Sequence, residues 1–309
     1  MKIAVLGCGA IGSLYAASLA QDPSNEVLCI VRSEQHASRI NSSGINIISN
    51  NGCSNISASP RAVTDTENEV PADIVLIAVK SYATEDAVAG HAALFGPDTI
   101  ALTLQNGYGN HLKILNAVPK ERIIMGTTAM GVNIDSEGHV ILAGTGKTVI
   151  GSLAPETETG HSSLATVKKL LSDAGFDTEE TSDAQGAVLD KLLINVGINA
   201  VCALNDVPNR FICDDPDMRA RAEALVREAV EVLNDALGKS FDPDSVWGKV
   251  LAVAEKTGLN VCSMLQDVRK NSQTEISAIN GAIVDIASKA GLEAPVNAAV
   301  TDEIIKLTK

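Results

Sequence analysis

Along the first half of the chain, short apolar runs alternate with segments of helical spacing. Lys2–Leu6, Glu26–Val31, Ile74–Val79 and Thr99–Leu104 read as strands, and helices are expected from near Ala10, Ser33, Ser81 and Tyr108. The runs Ile74-Val75-Leu76-Ile77-Ala78-Val79 and Ile100-Ala101-Leu102 are apolar at every position, as strands buried on both faces require. Such alternation predicts a parallel sheet covered by helices. From about Arg122 to Leu153 glycines punctuate β-prone pieces, with a hairpin turn at Ser136-Glu137-Gly138, which reads as an antiparallel extension of that sheet. A helix over Ser162–Ala174 and a strand over Phe176–Glu180 complete the domain.

Beyond Ser182 strand signals stop. Leu225, Val226, Ala229, Val232 and Leu233, and later Ile276, Ile279, Ile283 and Ile286, recur at helical spacing. The fold class expected is therefore α/β: a Rossmann-type doubly wound domain over 1–181, then an all-helical domain over 182–309. No Pro/Gly-rich spacer separates them, so they are expected to pack closely around a cleft.

Composition narrows the function. With 309 residues, 45% hydrophobic and 20% charged, the chain is long and apolar enough for packed cores. Its net charge of −14 argues against a nucleic-acid or anionic-membrane surface. No run is expected to span a bilayer and no signal peptide is read, so a cytoplasmic location follows. The six cysteines, Cys8, Cys29, Cys53, Cys202, Cys213 and Cys262, are scattered without a C-x-x-C pair, which points to reduced thiols and no structural metal.

Gly7-Cys8-Gly9-Ala10-Ile11-Gly12 follows the first strand directly and opens a helix. G-x-G-x-x-G in that context cradles a dinucleotide pyrophosphate, using a tight turn, close backbone approach and a helix N-terminus. At the end of the second strand an acid would hold the ribose 2′-OH of NAD, whereas arginine accommodates a 2′-phosphate. Here the strand ends in Arg32-Ser33, which favours NADPH; the alternative leaves Arg32 solvated and gives the ribose to Glu34. Lys80 and Asn106 end later strands and are expected at the cofactor crevice, against the plainer readings of a surface lysine and an Asn-Gly turn.

Lys191, Asn195 and Asn199, spaced i, i+4 and i+8, form a polar line on a helix otherwise rich in Leu, Ile and Val. The bland reading is a solvent-facing stripe, for which asparagine is a poor helix former. The functional reading is a desolvated lysine that donates a proton to a carbonyl oxygen as hydride reaches its carbon.

Taken together these pieces resemble the ketopantoate reductase (2-dehydropantoate 2-reductase) family, along nearly the whole chain. Its carriers are the glycine loop, Val79-Lys80, Leu104-Gln105-Asn106-Gly107, Lys191 with Asn195 and Asn199, and Pro208-Asn209. Ser263-Met264-Leu265-Gln266-Asp267, Thr274-Glu275-Ile276 and Ile279-Asn280-Gly281 complete the set. The resemblance implies NADPH-dependent reduction of 2-dehydropantoate to pantoate, in pantothenate and coenzyme A synthesis. It implies Lys191 as general acid and Glu275 as ligand of the substrate hydroxyl. Asn106, Asn195, Asn199, Asn209 and Ser263 become the substrate shell, and Lys80, Asn106 and Arg32 cofactor contacts. The partner implied is a small 2-keto acid, and a homodimer is compatible with it. Cys262 departs from the family pattern, which usually has a serine there, and Ala83 replaces a glutamine found in some members. Ser272-x-x-Glu275 also reads as a capping box, and Ser263 as a helix N-cap. Two other functions compete: reduction of a different branched 2-keto acid, and a non-catalytic NADPH sensor, which would not need Lys191 and Glu275.

Overall fold

The computed structural model describes residues 1–49 and 55–308, so Cys53 lies outside the described residues. The chain forms two compact units, 1–105 with 110–187, and 106–109 with 188–309.

The first unit contains β1 (Lys2–Leu6), α1 (Ala10–Leu19), β2 (Glu26–Ile30), α2 (Glu34–Ser43), β3 (Ile45–Ser49), β4 (Ile56–Ala58) and β5 (Arg61–Val63). After these come β6 (Ile74–Ile77), α3 (Thr84–Gly90), β7 (Ile100–Thr103), α4 (Asn110–Ile114) and β8 (Ile123–Thr128). The hairpin β9 (Gly131–Ser136) and β10 (His139–Gly144) follows, then β11 (Thr148–Ser152), α5 (Glu158–Asp173) and β12 (Thr178–Glu180). Eight strands form one sheet in the order β12-β11-β8-β7-β6-β1-β2-β5. Pairing is parallel except between β8 and β11, which run antiparallel. β6 and β7 are buried along their whole length and β1 from Ile3 onward, which explains the apolar runs Ile3–Leu6, Ile74–Ile77 and Ile100–Leu102. The chain leaves β1 toward β2 on one side, while β6 lies on the other. That reversal of strand order is where open sheets form a crevice at the carboxyl ends of their strands.

The expected glycine-punctuated hairpin forms, turning at Gly138 with φ +77°. It does not extend the main sheet. β10 pairs in parallel with β3, giving a separate sheet in the order β4-β3-β10-β9. In the main sheet the antiparallel pairing is that of β8 with β11, so β11 and the edge strand β12 run against the other strands.

The second unit is helical. It comprises α6 (Ala184–Asn205, whose first turn belongs to the first unit), α7 (Phe211–Asp214), α8 (Pro216–Leu237), α9 (Pro243–Lys256), α10 (Ser263–Arg269), α11 (Asn280–Lys289) and α12 (Pro295–Leu307). α8 and α9 begin alike, with Asp215 and Asp242 accepting first-turn N–H groups just before a proline. α6 is the core helix: Leu189, Leu192, Leu193, Val196 and Val201 are fully buried or nearly so. At Gly197 a side chain would stand 2.7 Å from Val226 on α8 and 3.0 Å from Val250 on α9, so glycine permits this packing distance. The expectation that no stretch could span a bilayer needs correcting on one point. Ala184–Asn205 is long and apolar enough, its 18-residue apolar window having mean hydropathy 1.7, but 67% of that window is buried inside the protein, where the helix forms the core.

Two further expectations fail locally. Ser272 and Glu275 form no capping box. The Ser272 hydroxyl donates to the Lys270 carbonyl, and Glu275 precedes a 3-10 turn, Ile276–Ala278, without capping it. α11 starts only at Asn280, so Ile276 and Ile283 lie in different elements. At α10 the N-cap is Cys262, whose Sγ accepts from Leu265 N–H, and Ser263 is the first residue inside the helix.

Candidate active site

The glycine loop is built by backbone. Gly7 has φ +99°, and a Cβ there would stand 2.6 Å from the Val79 side chain. A Cβ on Gly12 would lie 2.0 Å from the Gly7 carbonyl oxygen, so the first turn of α1 packs directly on the loop. Beside Gly9, by contrast, there is open space for an incoming group. Gly9 caps α1 without a side chain, and the first turn carries no acid. The opening N–H groups of α1 therefore present a positive dipole end free of competing carboxylate. The Ser13 hydroxyl secures the Cys8 carbonyl at 3.0 Å. A hydrogen bond with Cys29, together with burial, pushes the Cys8 thiol well above its usual range, so it adds no negative charge to the loop. Open space, an uncapped helix end and neutral surroundings together fit a dinucleotide pyrophosphate.

Arg32 follows β2, exposed and without an ion pair among the described residues. Ser33 is committed elsewhere: its hydroxyl accepts from His36 N–H at 3.2 Å as the N-cap of α2. Glu34, the alternative ribose ligand, accepts a hydrogen bond from the Thr64 hydroxyl. Lys80 is half-buried at the head of the 3-10 turn Ser81–Ala83, directly after Val79, which walls the glycine loop.

Gln105 has a structural role beyond its place in the run Leu104-Gln105-Asn106-Gly107. Its Nε2 donates to the Val79 carbonyl at 2.6 Å and to the Thr84 hydroxyl at 2.8 Å, while its Oε1 accepts from the Thr103 hydroxyl at 2.9 Å. This carboxamide splints the end of β7 to the segment that carries Val79 and Lys80. A long amide immediately after an apolar strand was the available signal.

The remaining candidates, Asn106, Lys191, Asn195, Asn199, Asn209, Ser263 and Glu275, belong to the helical unit. Lys191 is half-buried as a residue, and burial lowers its ammonium pKa to about 8, opposed by the Glu275 carboxylate. Glu275 itself is 8% exposed, so a buried acid and a buried amine share one electrostatic environment. One turn beyond Lys191, Asn195 Nδ2 is buried with no hydrogen-bond partner. Such an orphaned donor is disfavoured unless something else occupies it. Asn199 is buried, and its carbonyl accepts from Cys262 Sγ–H at 3.5 Å. That contact brings the start of α10, with the exposed Ser263, alongside α6. Asn209 N–H donates to the Asn260 carbonyl at 3.1 Å, which joins it to the same segment. Its side-chain Nδ2 donates to Thr257 Oγ1 at 2.9 Å, leaving Oδ1 buried and unpartnered. The Asn106–Gly109 segment packs against the Glu275 turn: Tyr108 N–H donates to the Ala278 carbonyl at 2.9 Å.

Among these candidates the helical unit thus offers an amine near its working range, a buried carboxylate, and two unsatisfied amide atoms of opposite polarity, Asn195 Nδ2 and Asn209 Oδ1. An oxyanion or keto oxygen suits the amine and the Asn195 donor; a hydroxyl suits the acceptors.

The chain is similar to known proteins along its length. The family description "Ketopantoate reductase PanE/ApbA" matches residues 3–155, and that of its C-terminal part matches 183–308. The 2-dehydropantoate 2-reductase of Halobacterium salinarum is 33% identical over 98% of this chain and 97% of its own length. That of Pyrococcus horikoshii is 34% identical over 96% and 94%. Among solved structures, a D-mandelate dehydrogenase with NADH and anilino(oxo)acetate superposes with TM-score 0.92 at 26% identity, over 100% of this chain and 98% of that one. The 2-dehydropantoate 2-reductase from Geobacter metallireducens gives 0.88 at 26% identity, covering 99% of each chain. The two matches together span both units, and the chain belongs to the ketopantoate reductase PanE/ApbA family of oxidoreductases.

Proposed function

We propose that this chain reduces 2-dehydropantoate to pantoate with NADPH, and that Lys191 is the general acid. The observation that carries the reading is a buried amine with pKa about 8, influenced by Glu275 and one turn from the unsatisfied Asn195 donor. The bound nicotinamide supplies the hydride. Lys191 Nζ donates its proton to the keto oxygen as charge builds there, and its pKa near neutrality makes that transfer efficient. Asn195 Nδ2 donates to a substrate oxygen, and Asn199, Asn209 and Ser263 line the remainder of the substrate shell. Glu275 accepts a hydrogen bond from the substrate hydroxyl. The glycine loop, Gly7 to Gly12, holds the pyrophosphate on backbone N–H groups. Lys80 and Asn106 complete the cofactor contacts.

The preference for NADPH rests on Arg32, exposed at the end of β2, and on Glu34, whose carboxylate is taken by Thr64. The reaction belongs to pantothenate and coenzyme A synthesis, and we assign it to the cytoplasm and to a homodimer.

The D-mandelate dehydrogenase likeness favours a second reading, in which the same chemistry serves a 2-keto acid without a hydroxyl. One experiment separates the two. Oxidation of NADPH and of NADH is followed at 340 nm with 2-dehydropantoate, phenylglyoxylate and 2-ketoisovalerate. The proposal expects the highest kcat/KM for 2-dehydropantoate with NADPH; a preference for phenylglyoxylate rejects it.

A further inference from the structure

Asn280 stands where three segments of the helical unit join. Glu275 heads the 3-10 turn Ile276–Ala278, and Asn280 opens α11 just beyond it. One side of the turn is held by the 106–109 segment, through the Tyr108 N–H bond to the Ala278 carbonyl. A Cβ on Gly107 would come within 2.4 Å of that same oxygen, so this approach is close. The other side is held by Asn280. Its Nδ2 donates to the Val196 carbonyl at 3.3 Å and to Asn297 Oδ1 at 2.9 Å. Val196 is the neighbour of Asn195 on the helix that carries Lys191. Asn297 is fixed in turn: its Nδ2 donates to the Leu225 carbonyl at 3.1 Å and to the Glu228 carboxylate at 2.8 Å. Glu228 also accepts the backbone N–H groups of Val296 and Asn297, which open α12. Both asparagines are wholly buried, and Asn280 Oδ1 has no partner. An unmet buried oxygen disfavours the fold, and an apolar residue of similar size would avoid it. Packing alone therefore does not account for Asn280; its donor bonds do.

We infer that Asn280 is a positioning residue: its bond to the Val196 carbonyl ties the Glu275 turn to α6 and sets the separation between the Glu275 carboxylate and the Lys191 ammonium. The inference deepens the proposed function and rests on Lys191 being the proton donor. The charge acting on Lys191 is that of Glu275; Asp190, beside it on α6, is paired with Lys249 at 3.2 Å, and Glu228 is engaged by α12.

The test follows the titration of Lys191 by NMR in the full chain carrying 13Cε-labelled lysine, assigned by the signal lost in Lys191→Arg. Steady-state kinetics against pH run in parallel. Asn280→Ala removes both donor bonds, and Asn280→Ser retains a shorter donor and serves if the alanine variant does not fold. Asn280→Ala is expected to move the Lys191 titration down by ~0.5 pH unit or more, because burial persists while the opposing carboxylate recedes. It should lower kcat ~10-fold, with the Kd of NADPH changed less than ~2-fold. In a Glu275→Gln background the same change should shift the titration by under ~0.2 pH unit, because the two residues act as one unit. A lower Tm with the titration unmoved overturns the inference and makes Asn280 a packing residue. So does a shift that persists in full without the Glu275 carboxylate. A wild-type chain that reduces none of the 2-keto acids overturns the proposed function instead; the NMR shift then decides the role of Asn280 alone.

Discussion

In the function proposed above, the glycine loop and the polar face of α6 would recognise their ligands by opposite means. The loop is six consecutive residues that offer main-chain N–H groups, and its glycines serve by lacking side chains. The α6 face would depend on side chains: Lys191 and Asn195 on one helix, Glu275 from a turn eighty-odd residues later, and Asn280 holding that turn on one side, while the main-chain N–H of Tyr108 holds the other. A backbone site needs only the right local conformation. A side-chain site inside a core needs a supporting layer, because each buried polar atom must be partnered and each charge offset. The two regions should therefore respond to substitution in different kinetic terms.

The largest effect should come from Lys191→Ala. Removing the proton donor should lower kcat ~100-fold or more, while the Kd of NADPH, measured by fluorescence titration, stays within ~2-fold. If kcat fell and the Kd rose together, the separation of roles between the two regions would fail. Arg32→Ala tests the other region. It should raise the KM for NADPH ~10-fold or more and leave that for NADH nearly unchanged, since only the 2′-phosphate is lost as a partner. Equal weakening of both cofactors would place the 2′-phosphate elsewhere.

The same contrast governs what could be read from sequence. The glycine loop was legible because its whole signal is contiguous and its context, a strand before and a helix after, is local. The polar line on α6 was legible because helical periodicity aligns residues four apart. β3, β4 and β5 carry weak local signals: β4 and β5 have three residues each, β3 pairs with β10 and β5 with β2, both remote in sequence, and β4 forms only against β3. Without β3 the hairpin is misplaced, because it needs that strand as its neighbour. Glu275 could be flagged only through a family resemblance, because its relation to Lys191 is purely tertiary. The supposed capping box failed for a related reason. Spacing permitted it, but the backbone enters a 3-10 turn there, and the Ser272 hydroxyl turns back to Lys270.

Glu275→Gln should act on both binding and proton transfer. Its carboxylate raises the Lys191 pKa against burial, so without it the pKa falls below about 8. A general acid must be protonated to act. Wild-type kcat should thus decline as pH rises through about 8, and the variant should decline at lower pH. The KM for a hydroxylated substrate should rise ~5-fold or more, through loss of a charged hydrogen-bond acceptor. A pH profile identical to wild type would remove Glu275 from the surroundings of the acid.

The smallest effect is expected where the chain departs from the family pattern. Cys262 caps α10 through Sγ, accepting from Leu265 N–H at 3.5 Å and donating to the Asn199 carbonyl at 3.5 Å. Burial pushes its thiol up to about 11, so it is neutral at working pH and not a nucleophile. Serine is the stronger N-cap but has the shorter reach, so Cys262→Ser gains at the helix end and loses at Asn199. The two changes should leave stability within ~1 kcal/mol, a Tm shift of no more than ~4 °C, with kcat/KM within ~2-fold. A kcat/KM loss of ~10-fold without a fall in Tm would show instead that sulfur sets the position of Asn199 on the polar line, extending the dependence on a supporting layer from the Glu275 side of α6 to the α10 side.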